Sequence, residues 1–81
     1  MNKHLDTQNM TFTAEIELIG FIPYDIRDIR ASGRIYHDVD KRWRDGAEII
    51  TSSIQNIHSF YSDGYISTRN SVYKIRRGEN E

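Results

Sequence analysis

Arg42-Trp43-Arg44 is the run in this chain whose residue types suit ligand chemistry most directly. An indole between two guanidiniums can stack a base or nucleotide ring while the arginines hold phosphate in forked hydrogen bonds. Arg69 could supply a third fork, Tyr73 a second stacking ring, and Thr51 and Asn70 hydrogen bonds. Arg42, Trp43, Arg44, Thr51, Arg69, Asn70 and Tyr73 are therefore the candidate ligand-binding set. The competing reading makes Trp43 the largest core plug, with solvated arginines on either side.

Catalytic constellations are not visible, and we expect a binding protein without catalytic residues. His4, His37 and His58 are scattered, with no second ligand at metal spacing, so solvent-facing histidines and no metal are expected. Glu15/Glu17 and Asp38/Asp40 are spaced to point the same way on a strand, but a solvated face and an ordinary turn account for them without a raised carboxyl pKa. The hydroxyls of Thr51-Ser52-Ser53 and Ser67-Thr68 suit cross-strand pairing, and there is no nucleophile elbow, P-loop or dinucleotide-binding glycine pattern. Cysteine is absent, which removes disulfides and thiolate chemistry, and no cofactor is implied.

The elements that must position these groups follow from the hydropathy pattern. With 81 residues, 37% hydrophobic and 28% charged, the chain has room for one small globular domain. We divide it into a polar tail at 1–9, a single β domain at 10–77 and a tail at 78–81. Met10, Phe12, Ala14, Ile16 and Leu18 alternate with Thr11, Thr13, Glu15 and Glu17, the period of a half-buried strand. Gly20 interrupts the alternation and predicts a bulge; Pro23, lacking an N–H, is expected to end the ladder. A second strand is expected from about Ile29 to His37, with Gly33 marking the close approach of another backbone. Tyr36, Arg30 and Arg34 then share one face, either a binding surface or an oligomer contact.

Turns are expected at Asp38–Lys41 and Arg44-Asp45-Gly46, with Gly46 at positive φ. The β-branched stretch 48–57 reads as a strand, Ser62-Asp63-Gly64 as a hairpin loop, Tyr65–Thr68 as the return strand, and Val72–Arg76 as the last strand. Between those last two, Asn70 should be left-handed or otherwise in a tight turn. The fold class is thus mostly β: about five short antiparallel strands forming a small barrel or tight sandwich, the last three a meander. An open sheet with a short helix near Tyr24–Asp28 is the alternative. The inward set is Phe12, Ala14, Ile16, Leu18, Ile29, Ile35, Ile50, Ile54, Ile66, Val72 and Ile75.

Charge bears on the partner. Residues 26–77 hold ten of the eleven basic residues against six acids, a net +4 within a chain of net −1. This permits an anionic ligand, while the near-neutral total argues against strong phosphate-backbone affinity. No apolar run approaches the roughly 18 residues of a membrane span, so a cytoplasmic protein without membrane contact is expected. The core is small and unstapled, and homo-oligomerisation would add burial.

Arg42-Trp43-Arg44-Asp45-Gly46, Ile50-Thr51-Ser52-Ser53-Ile54 and Ile66-Ser67-Thr68-Arg69-Asn70-Ser71-Val72-Tyr73-Lys74-Ile75 together resemble small proteins encoded by tailed bacteriophages and prophages. The resemblance spans about residues 42–76. It implies a phage protein in the cytoplasm of an infected bacterium and an anti-defence role, by binding a host defence protein or a nucleotide signal. It carries no site residue with it. The alternatives are a nucleic-acid-binding module akin to small SH3-like or OB-type barrels, and a structural or virion-associated protein.

Overall fold

A computed structural model of the chain describes residues 11–77; the expected tails at 1–9 and 78–81 and the strand start at Met10 lie outside the described residues. The elements are β1 (Ala14–Asp25), β2 (Asp28–Tyr36), β3 (Ala47–Ile50), the helical turn α1 (Phe60–Asp63), β4 (Tyr65–Ser67) and β5 (Val72–Ile75). The five strands form one sheet in the order β3-β2-β1-β5-β4. Mostly-β architecture is therefore as expected, but the sheet is mixed. The pairs β1–β2, β2–β3 and β4–β5 are antiparallel, whereas β1 and β5 run parallel. The sheet is not closed, and β3 and β4 are its edges. No described helix is long and apolar enough to cross a membrane.

The alternation of β1 places Ala14 and Ile16 in the core with Ala31, Ile35, Ile54, Ile66 and Tyr73. Leu18, Trp43, Ile49, Ile57, Phe60 and Ile75 pack around that cluster. Glu15 and Glu17 fall on the opposite, outer face, in register with Tyr36 and Arg34. At the predicted bulge Leu18 pairs with Gly33 and Gly20 with Ser32, leaving Ile19 as the extra residue. Pro23 does not end the ladder, because β1 continues to Asp25 with Pro23 opposite Ile29. The pairing of β1 with β5 stops at Ile16↔Ile75, so this part of β1 is bonded on one side only and a missing N–H is tolerated there. Residues 20–30 thus form a two-stranded arm. Tyr24–Asp28, the candidate helix of the open-sheet alternative, is its tip.

The expected strand at 48–57 is corrected to four residues, and with it the C-terminal meander: β3 pairs with β2, at the opposite edge from β4. Thr51 ends β3 because its own side chain enters the ladder, Oγ1 accepting from Ala31 N at 3.0 Å. The chain then crosses the inner face, where Ile54 is buried and its N–H donates to Ile29 O at 2.8 Å. The β-branched residues here fill the core rather than extend a ladder. Ile50 is corrected too: its register partner is Ser32, on the outer face, and it is 51% exposed. Ser62-Asp63-Gly64 is no hairpin loop; it is the end of α1, with Gly64 the left-handed cap at φ 83°. Gly46 has the expected positive φ, 89°. Asn70 lies in the expected turn, which Thr68 N→Ser71 O closes at 2.9 Å, but the non-glycine residues at positive φ are His37 and Lys41.

One sheet edge is sealed by a side chain. The Asn56 amide donates to Tyr65 O at 2.9 Å and to Asp63 Oδ2 at 3.0 Å, while its oxygen accepts from Ser67 N at 2.9 Å. Gln55 N completes the seal on Ser67 O at 2.7 Å. Asn56 therefore substitutes for a sixth strand along β4. Asn56→Ala should cost about 1–3 kcal/mol in urea denaturation, because it strands two backbone groups at once. Asn56→Asp should cost at least as much at neutral pH, where a second carboxylate faces Asp63, and should recover part of the loss in acid. An unchanged denaturation midpoint in both variants would show that water replaces the amide without cost.

Candidate functional site

Asp38 organises the loop that carries Arg42, Trp43 and Arg44. Its carboxylate is removed from solvent, and Arg42 is 34% exposed beside it. Asp38 Oδ2 accepts from Arg42 N at 2.7 Å and Nε at 3.1 Å, and Oδ1 from Arg42 Nη2 at 3.1 Å. Arg42 holds the Asp38 carboxyl below the usual carboxylate range against the opposing effect of burial, and the same pairing raises Arg42. His37 N on Asp45 Oδ1 at 2.8 Å and Val39 N on Thr13 O at 2.8 Å fasten the loop to itself and to the chain ahead of β1. In the sequence Asp38 reads as an ordinary turn residue. Its only signal was an arginine four positions on, a spacing shared with many exposed pairs.

The structure brings three of the seven candidates together. The Arg42 guanidinium lies 4.3 Å from the centre of the Trp43 ring, and the Tyr73 side chain, after Asp38, helps to raise its pKa. Trp43 is half-buried against the core, and Tyr73 is in it. A phosphate entering the Arg42 fork would have to displace Asp38. Thr51 stands elsewhere, buried against β2, with Oγ1 donating to Ser52 O at 2.7 Å. Arg44, Arg69 and Asn70 are exposed, the last two in the β4–β5 turn. A hollow of about 290 Å³ lined by Glu15, Lys74, Ile75, Arg76 and Arg77 collects further cations. Within it Arg76 bridges Glu15 at 3.5 Å and covers the Tyr36 ring at 4.0 Å.

The chain matches no family model, no curated protein and no solved structure.

The outer face and the arm hold what sequence reasoning missed. Ile19, Phe21, Tyr24, Ile26 and Ile50 are all exposed, Ile26 to 87%. Phe21 is anchored, its ring 5.1 Å from that of Phe60 on α1. Toward the tip, Arg30 forks onto Asp28 at 2.9 and 3.0 Å and covers the Tyr24 ring at 4.5 Å. Ser53 also donates to Asp28, whose carboxyl is held low first by Arg30 and then by Ser53. A groove of about 470 Å³ runs beside the arm, lined by Ile19, Ser32, Gly33, Glu48, Ile49 and Ile50. The bulge at Ile19 shifts the parity of β1, so that Gly20 rather than Phe21 pairs on the outer face, and no sequence period shows that each strand of the arm beyond it has a strand partner on one side only.

Among the described residues His37 and His58 are exposed, and no three His, Asp or Glu side chains gather to hold a metal.

Proposed function

We propose that this chain is a non-enzymatic binding protein of bacteriophage type that counters bacterial defence by engaging a host protein through its β1–β2 arm. The observation that carries this is the concentration of exposed Phe21, Tyr24 and Ile26 on a two-stranded arm. Large apolar and aromatic groups gathered on one element, next to an arginine, have the composition of an interface core rather than of ordinary surface. The phage setting, the cytoplasm of an infected bacterium, rests on the resemblance of residues 42–76. In architecture we read the module as a small barrel-like sandwich whose inner face is covered by residues 51–59.

A nucleotide signal is the second reading, favoured by exposed Arg44, Arg69 and Asn70 within the phage-like segment. Native mass spectrometry of the chain purified from a bacterial host separates the two. A protein partner should be retained, weakened about thirtyfold or more by Ile26→Glu, and unaffected by the double variant Arg44→Ala/Arg69→Ala. A nucleotide mass that only the arginine variant loses would replace this reading with the second. Multiples of the chain's own mass that Ile26→Glu abolishes would make the partner a second copy. Salt-sensitive retention on nucleic acid would assign the module to that class instead.

A further inference from the structure

The two edges of this sheet are treated differently. Asn56 and Gln55 seal β4, whereas no loop or turn in the described chain hydrogen-bonds the backbone of Glu48 or Ile50. Thr51 N bonds Ala31 O at 2.9 Å, and bonded pairs alternate along an antiparallel ladder. Ile49 accordingly turns its peptide groups toward Gly33, and Glu48 and Ile50 turn theirs to the open edge. Exposed edges of this kind accept an added strand.

Which strand fits is set by the outer face. Glu17, Arg34 and Glu48 stand in one cross-strand row, with Arg34 3.7 Å from Glu17 and 3.5 Å from Glu48. Two carboxylates share one guanidinium, so the row is short of one cation at its open end. Two positions along β3, Ile50 borders the groove it forms with Ile19 over Ser32. A second copy of β3, Ala47-Glu48-Ile49-Ile50, brings no cation to complete the row. A two-fold axis normal to the sheet keeps outer residues outer, so a register centred on Glu48 sets like charges opposite each other. Centring on Ile49 sets Glu48 opposite Ile50. Like charges facing across strands are unfavourable.

We propose that the β3 edge binds an extended segment of another protein by antiparallel strand addition, with an arginine or lysine opposite Glu48 and a large apolar residue opposite Ile50. This rests on the reading of the chain as a protein-binding module and adds a second contact beside the arm. The added basic residue completes the charge row, and the apolar side chain leans over Ile50 into the groove.

The test uses a short, end-blocked, threonine- and valine-rich peptide carrying leucine and lysine two positions apart, titrated into isotopically labelled protein and followed by amide NMR shifts. Saturable shifts at Glu48, Ile49, Ile50 and Ser32 are expected, with about tenfold weaker binding when glutamate replaces the peptide lysine. Glu48→Lys, on an exposed site, should reverse that preference. Absence of shifts along β3 at millimolar peptide, or equal binding of both peptides, overturns the proposal. So do concentration-dependent shifts at β3 without peptide, which would give the edge to a second copy. The arm reading fails separately, since it is judged on partner retention by Ile26→Glu.

Discussion

Asp38→Ala is expected to lower the free energy of unfolding by about 2–4 kcal/mol. That figure follows from removing one partner of a pair in which the carboxylate is buried and the guanidinium is only partly so, which also leaves Arg42 N without its acceptor. Much of the loss would come from the loop at 37–46, because Asp38 accepts from both the backbone and the side chain of Arg42 and, at 3.4 Å, from Asp40 N. Acid carries a second signature. The Asp38 carboxyl lies below its ordinary value of 3.8 in the folded protein, chiefly through the Arg42 hydrogen bond. Between the two values the unfolded chain binds more protons, so stability rises with pH there. The contribution is complete above about pH 4–5 and fades as pH falls through the lowered folded value. Asp38→Asn should therefore flatten the acid limb of a stability–pH curve measured by urea denaturation. Asp28 and Asp63, held low chiefly by Arg30 and by Asn56, keep the remaining slope. A loss below about 0.5 kcal/mol with an unaltered acid limb would show that the loop is held by other contacts, since that is the range of an ordinary surface substitution.

Gly33→Ala is the second large expected effect, and Gly20→Ala is its control. A Cβ at residue 33 would lie 2.5 Å from Glu17 O and 2.8 Å from Ile16 Cγ1. The obstacle is the backbone of the paired strand, which cannot rotate away as a side-chain tip can. β1 and β2 must separate, at a cost of about 1–3 kcal/mol or more. With about 4–8 °C of melting temperature per kcal/mol in a domain of this size, a fall of 10 °C or so is expected. At Gly20 the nearest atom to an added Cβ is Ser32 Oγ at 3.8 Å, an ordinary contact. The Gly20 variant should melt within a few degrees of the wild type. Equal melts for the two alanine variants would mean that β1 and β2 are not in this register.

Gly33 was legible in the sequence because a glycine inside a strand has few other reasons to be there, and the close approach it implied is the one observed. The candidate ligand set was less legible. Arg42, Trp43 and Tyr73 do converge, but on one another and on Asp38. Residue type says that a guanidinium wants an anion; it does not say whether the chain supplies that anion itself.

The sequence by itself determined the alternation of β1 over 14–18, though neither end of that strand, together with β2, the bulge after Leu18, the tight approach at Gly33 and the left-handed Gly46. Each depends only on a period of two, or on the steric demands of one residue and its immediate neighbours. The tertiary structure alone decided that β5 runs parallel to β1, that residues 51–59 plug the core instead of pairing, that Ile50 faces outward and that Asp38 is buried. A β-branched stretch satisfies a ladder or a core equally well. The choice was made by Ala31 N and Ile29 O, groups on a strand whose partners only the folded chain brings within reach.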